Sequence, residues 1–432
     1  MFDNPFQAAV ITIFIIAGIA GVAVFAINPG LFGAGGGGPS TASADVWGTI
    51  SDDDFSSVLA GAGIPDDETL SVDYTEVDPQ NLRSRLVNQL AQDQGPDALL
   101  IPHARLLQLD EFLVTFGPQT YNRRTFRDNF LQGAEIFTNQ AGVKALPFAM
   151  DPLVMYWNRD MISAAGFVSP PETWGDMQAY IDKITKVDET RNIDRAAVAL
   201  GTSNNITQSK AILSAMFYQA GNPITEVEGN SHLSVLRDAN QADAAVRLYT
   251  QYANPGASTY TWNNTFDSDR KSFVSNELAM YFDTGQAIDE IRDQNPNLNF
   301  DVAAIPQREG QQPRTHAKIY GLAMVDRVSS RRRANVFRVM QRLVSRPLAE
   351  SLLENTNLTP VRKSVVSQIN SDSPQKQTYL DTAPSARGWA DPDPAQTKQI
   401  FADLITNVTS GQSSVSEAIG NASDRLDLLF ND

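Results

Sequence analysis

Residues 146–177 read LPFAMDPLVMYWNRDMISAAGFVSPPETWGDM. Pro147 opens an apolar run that ends in Tyr156-Trp157-Asn158-Arg159-Asp160, and Ala165-Gly166 and Pro171-x-Thr173-Trp174 follow. Thr173 and Asp176 make a capping-box pattern, and Met177, Tyr180, Ile181 and Ile184 recur on one face of the helix it starts. Upstream, residues 45–48 end a short strand and residues 52–61 begin a helix. Leu70-Ser71-Val72-Asp73-Tyr74 alternates as a strand does. Leu82, Leu86, Val87 and Leu90 then share a helical face, Gly95-Pro96 breaks it, and residues 97–102 read as a buried strand stopped by Pro102. Strand, helix and strand in succession predict an α/β fold with a largely parallel sheet. Downstream, three more apolar stripes read as core: one from Val336 through Phe337, Met340 and Leu343, one from Ile400 to Val408 halted near Gly411, and one from Ile419 to Leu429. No internal repeat is present.

A chain of 432 residues with 42% hydrophobic content has material for two or three domains. Its net charge of −16 repels phosphate backbones and anionic lipid, so nucleic acid is not an expected partner. Without cysteine there are no disulfides, thiolate metal sites or cysteine nucleophiles. The three histidines, His103, His232 and His316, are far apart in sequence, and no metal or cofactor is expected. No GxSxG, Walker A or HExxH pattern occurs, so an enzyme is not expected.

Residues 6–27 form a 22-residue uncharged apolar stretch. As a helix it extends about 33 Å, enough to cross the hydrocarbon core. Residues 28–44 (NPGLFGAGGGGPSTASA) have the composition of a flexible linker. The expectation is an uncleaved single-pass anchor. The competing reading is a signal peptide cleaved after Ala42-Ser43-Ala44, which lies 17 residues beyond Ile27. The first basic residue is Arg83, so charge does not set the topology.

The segment at 146–177 resembles the central signature of extracellular solute-binding protein family 1, the group that includes maltodextrin-binding proteins. Further likenesses follow in order: Gly95-Pro96-Asp97, the stretch from Phe273 to Pro306, residues 319–323, and Thr359-Pro360-Val361-Arg362. The resemblance implies a type II periplasmic-binding fold, two α/β lobes around a cleft. Lobe 1 is expected at 45–148 plus 303–350, and lobe 2 at 152–301 plus 355–432, with crossings near 147–152 and 302–307. It also implies a monomer whose soluble domain lies outside the cytoplasm, captures a sugar or oligosaccharide, closes on it, and serves ABC permease subunits. A tethered solute sensor or adhesion module with the same fold is the alternative, and a glycoside hydrolase a more distant one.

Sugars need aromatic planes and fixed polar groups. Candidate ligand contacts are Trp47, Asp52, Asp151, Tyr156, Trp262, Asp283, Tyr320 and Trp389. Of Tyr156 and Trp157 one must point away, because strand neighbours face opposite sides. Asp53, Asn204, Asn205 and Arg362 are further polar candidates. Trp174 is assigned to structure.

Overall fold

A computed structural model describes residues 41–190, 192–228, 231–237 and 241–431. Its strands are β1 (Ala42–Gly48), β2 (Leu70–Glu76), β3 (Ala98–Pro102), β4 (Leu146–Asn158), β5 (Lys186–Val187), β6 (Ile193–Val198), β7 (Thr225–Glu228), β8 (Ser231–Ser234), β9 (Leu278–Thr284), β10 (Phe300–Ala304), β11 (Thr315–Met324), β12 (Thr359–Pro360) and β13 (Ala386–Arg387). Helices of eight residues or more are α1 (Asp52–Gly61), α2 (Leu82–Leu90), α3 (Met177–Ile184), α4 (Ser209–Gln219), α5 (Ala242–Thr250), α6 (Ala287–Gln294), α7 (Ser330–Leu343), α8 (Arg346–Asn355), α9 (Pro374–Thr382), α10 (Pro394–Thr409) and α11 (Val415–Asn431).

The long strand β4 organises the molecule. Its apolar run is buried almost throughout, as a strand covered on both faces must be. The strands run β2-β1-β3-β11-β4-β9-β6-β5 across the main sheet, with β10 and β12 also on β4 and β13 on β11. β1 pairs parallel with β2 and β3, and β11 lies antiparallel between β3 and β4. β7 and β8 make a separate hairpin.

The buried apolar residues fall into two clusters, and β4 passes from one to the other. Leu146, Phe148, Ala149 and Met150 belong to the first, Leu153 to Tyr156 to the second. Asp151 and Pro152 lie between. The second crossing falls later than expected. Val302 and Ile305 pack in lobe 2, and the chain enters the lobe 1 core at Ala317, within β11. Residues 355–361 also differ from expectation: Leu358 and Val361 pack in lobe 1, and after Tyr379 touches the lobe 2 core, Ala383 and Ala386 return to lobe 1 before the chain enters lobe 2 at Trp389.

Local signals carry over. Thr173 and Asp176 bond reciprocally, Thr173 N–H to Asp176 Oδ2 at 3.0 Å and Asp176 N–H to Thr173 Oγ1 at 3.3 Å. Gly411 takes a left-handed φ of 72° two residues past α10, where a side chain would be strained. On α7, Val336, Val339, Met340 and Leu343 are buried, but Phe337 is half-buried against Phe116, ring centroids 4.8 Å apart.

The linker boundary needs correction. β1 begins at Ala42, and Ala42 and Ala44 are buried, with Ala42 opposite Leu70. Small residues that read as linker or cleavage site fit an inward-facing strand row. The expected membrane helix at 6–27 lies outside the described residues. Among those described, no helix is long and apolar enough to cross a membrane.

Candidate functional site: the interlobe cleft

Parallel strands β1, β2 and β3 all end, at their carboxyl ends, on the side facing lobe 2. Ligands in α/β sheets bind in the crevice beyond such ends. After β1, Ser51 caps α1 through Asp54 N–H, and Asp52, Asp53 and Asp54 fill the first turn, where the helix dipole favours negative charge. Gly48 is required there: a Cβ would lie 2.3 Å from the Tyr74 hydroxyl, which donates to Ile50 O at 2.7 Å. After β3, His103 lies buried with Nδ1 accepting from Ile319 N–H at 3.1 Å.

The floor is the strand pair that joins the lobes. Alternation puts His316, Lys318 and Tyr320 of β11 on one face, and Lys318 lies directly opposite Asp151 of β4. Lys318 is exposed, while Asp151 and Tyr320 are buried. Asp151 Oδ1 accepts from Gly285 N–H at 2.7 Å, and no hydrogen-bond donor reaches its buried Oδ2. Burial pushes the Asp151 carboxyl up to about 6, with Lys318 opposing the rise. Lys318 is held above the usual lysine range chiefly by Tyr320, with Asp151 contributing.

Lobe 2 supplies the opposite wall. Lys210, at the start of α4, pairs with Asp391 at 2.5 Å and lies 4.8 Å above the Trp389 ring. Burial lowers Lys210 and raises Asp391, the pattern of a pair withdrawn from water. The same lysine reaches across to lobe 1. Burial, then Lys210, hold His103 down to about 3, so it is neutral. Burial raises Asp54, and Asp289 of α6 in lobe 2 contributes to the rise, so the two lobes present acids to each other.

Beside His103 the cleft widens into a cavity of about 490 Å³, within the size range of small-ligand sites. Its walls come from both lobes: His103, Leu106, Phe137 and Lys144 on one side, Val227 and His232 of the β7–β8 hairpin and Ala390 on the other. Lys144 is paired with Asp110 at 2.6 Å. The arrangement offers carboxylate and amine hydrogen-bonding groups on the floor and, at one end, a cavity lined by polar and apolar side chains together. Among the described residues no group of three or more His, Cys, Asp or Glu is placed to hold a metal.

The expected ligand contacts separate into three sets. Asp151 and Tyr320 lie together on the floor, and Asp52 stands exposed at the lobe 1 rim, its N–H bonded to Glu76. Trp47 and Trp389 are buried in the lobe 1 and lobe 2 cores, and each carries a cation over its ring, Arg85 at 4.5 Å and Lys210 respectively. Tyr156, Trp262 and Asp283 are placed inside lobe 2. Trp262 is fully buried, stacked on Phe266 with ring centroids at 4.4 Å, its Nε1–H bonded to Asn205 Oδ1 at 3.2 Å. Tyr156 donates to Thr284 O at 2.8 Å. Asp283 accepts from Arg270 at 2.6 Å and Gln208 at 2.8 Å. Of the further candidates, Asn205 braces the Trp262 loop through Asn263 O, and Arg362 donates to Val344 O. Trp174 is structural: its Nε1–H bonds Gln219 Oε1 at 2.6 Å.

Sequence reading missed Lys318, Lys210, His103 and His316. The alternation His316-x-Lys318-x-Tyr320 was a usable signal once β11 is read as a strand. Nothing local marks Lys210 or His103.

Residues 67–381 match the model of the bacterial extracellular solute-binding protein family. The chain belongs to this family. Among curated relatives, this solute-binding protein is 24% identical over 230 residues to binding proteins of Brucella abortus (strain 2308) and Brucella suis biovar 1 (strain 1330). The match covers 50% of this chain, and the chain spans about half the length of these relatives. Its fold is that of a cyclo/maltodextrin-binding protein solved with maltotetraose: TM-score 0.74, 16% identity, 91% of this chain and 97% of that one. A cyclic α-maltosyl-1,6-maltose binding protein from Arthrobacter globiformis gives TM-score 0.74 at 15% identity over 90% and 99% of the two chains. The GacH receptor of Streptomyces glaucescens, studied unliganded and with acarbose, gives 0.66 at 18% over 91% and 99%.

Proposed function

We propose that this solute-binding protein captures a carbohydrate between its lobes, closes on it, and delivers it to an ABC permease without altering it. The observation that carries this is the interlobe cavity beside a floor formed by β4 and β11. A ligand seated there touches His103 and Lys144 of one lobe and His232 and Ala390 of the other. Contacts to both walls exist only in the closed form, so ligand shifts the population toward it. The solved relatives with bound maltooligosaccharides or acarbose support the ligand class. The same reading places the domain outside the cytoplasm, tethered by residues 6–27. Retention of that segment is supported by β1, since cleavage after Ala44 takes Ala42, Ser43 and Ala44 out of the lobe 1 sheet.

The test is calorimetry of the detergent-solubilised full chain with maltose, maltotetraose and acarbose, together with small-angle scattering. Binding with an unchanged sugar and a smaller radius of gyration is expected. No heat with any of the three overturns the carbohydrate reading. Binding without compaction overturns the closing clamp.

A further inference from the structure

Charge in this chain is unevenly placed. α7 carries Arg331, Arg332, Arg333, Arg338 and Arg342 and no acidic residue, and Arg327 and Arg346 flank it. From 327 to 346 there are seven arginines and no Asp or Glu. Taking these 7 from the chain's 34 Lys and Arg leaves 27 against 50 Asp and Glu. The average surface therefore repels anions, while one helix does not.

The helix is laid down by its other face. Val336, Val339, Met340 and Leu343 are buried, which turns Arg331, Arg338 and Arg342 outward at seven- and four-residue spacing along one exposed row. Arg332 and Arg333 pair with Asp97 at 2.5 Å and Asp326 at 2.6 Å.

The position of the row is as informative as its charge. Asp97, the partner of Arg332, also accepts from Asp45 N–H in β1 at 3.0 Å. Arg342 lies 3.8 Å from Asp67, in the turn where Ala42 N–H bonds Thr69 O at 2.8 Å and Thr41 Oγ1 bonds Glu68 O at 3.1 Å. Both ends of α7 thus sit at the amino-terminal ends of β1, β2 and β3, away from the cleft, beside the point where the chain arrives from residues 1–40. Thirteen residues separate Ile27 from Thr41.

We propose that the Arg331–Arg338–Arg342 row of α7 docks on anionic phospholipid headgroups, so that the domain rests on the bilayer by the pole opposite its cleft and holds the cleft toward the medium. The inference rests on the membrane-anchored reading. The tether makes the contact intramolecular, so a weak electrostatic attraction is enough to populate it. Each arginine near an anionic surface contributes about fivefold, so the three together contribute on the order of a hundredfold at low salt. Lipid is favoured over an acidic protein because the row lies next to the membrane tether.

The chain has no cysteine, so Gln341→Cys gives one fluorophore site on the exposed face of α7, and Leu428→Cys gives a control on lobe 2. The full chain is added to vesicles of phosphatidylcholine alone, or with one-third phosphatidylglycerol, that carry a headgroup quencher. Flotation with the neutral vesicles in high salt reports the anchor separately. Position 341 should be quenched in the anionic vesicles, release at 0.5 M salt, and show little quenching in the neutral ones. Position 428 should stay unquenched throughout. The triple variant R331E/R338E/R342E should abolish quenching at 341, and the milder Arg→Gln series should reduce it severalfold. Flotation without quenching at 341, or quenching in the Glu and Gln variants equal to that with the arginines in place, overturns the docking and leaves the row to a protein partner. Failure to float with neutral vesicles overturns the anchor, while anionic vesicles still decide whether α7 binds lipid.

Discussion

Asp151→Asn should make the unliganded protein more stable at neutral pH and a poorer binder. The carboxyl is fully buried at the lobe crossing, one oxygen bonded to Gly285 N–H and the other without a donor. Its value in the folded state is about 6, against 3.8 for the free group. Because the folded value is the higher one, the native state holds the proton more tightly than the unfolded chain. Wild-type stability therefore falls as pH rises from about 4 to 6, then levels off. The full difference is on the order of 3 kcal/mol above pH 6. Asparagine keeps the acceptor for Gly285 and does not titrate. Part of the gain is lost because the amide must also be satisfied and Lys318 loses its partner. The expected stabilisation is about 1–3 kcal/mol at pH 7, shrinking toward zero near pH 4. The assay is denaturant unfolding of both proteins at a series of pH values between 4 and 7.5. A variant less stable than wild type at pH 7, or a difference that does not change with pH, would refute the reasoning. If Asp151 accepts from ligand hydroxyls, affinity should drop in the same variant, marking a site where stability is given up for function.

Other perturbations divide along the same geometry. Lys318→Met should lower the midpoint of thermal unfolding at neutral pH, because it removes the cation that opposes the rise of the buried Asp151 carboxyl, and should weaken sugar binding about tenfold or more, the loss of one charged hydrogen-bond donor, read by calorimetry. Trp262→Ala should cost about 3–5 kcal/mol in unfolding experiments while the folded fraction binds as wild type, because the indole is core rather than a stacking plane. His103 is held down to about 3 in the folded state, so wild type should lose about 2 kcal/mol through this group between pH 6.5 and 5. In denaturant unfolding over that pH range, His103→Gln should lack that loss.

The amino-acid sequence by itself determined the α/β architecture, because that information is local and periodic. The capping pair Thr173 and Asp176, the 3.6-residue stripes of α3, α7, α10 and α11, and the unbroken apolar run of β4 each specify an element from neighbours a few positions away. Asp151 and Tyr320 lie on β4 and β11, the strands that join the lobes. Tertiary structure alone decided which aromatic residues are available. Trp262 and Trp47 look alike in sequence and both are buried, one enclosed by Phe266 and Asn205 and the other at a strand end under Arg85. It also decided the company of each charge: Lys318 faces Asp151 across 167 positions of chain, and Lys210 reaches Asp391 across 181. Propensity and pattern act over one or two turns of chain. The cleft is made where distant segments meet, and its burial and field are properties of that meeting rather than of any segment.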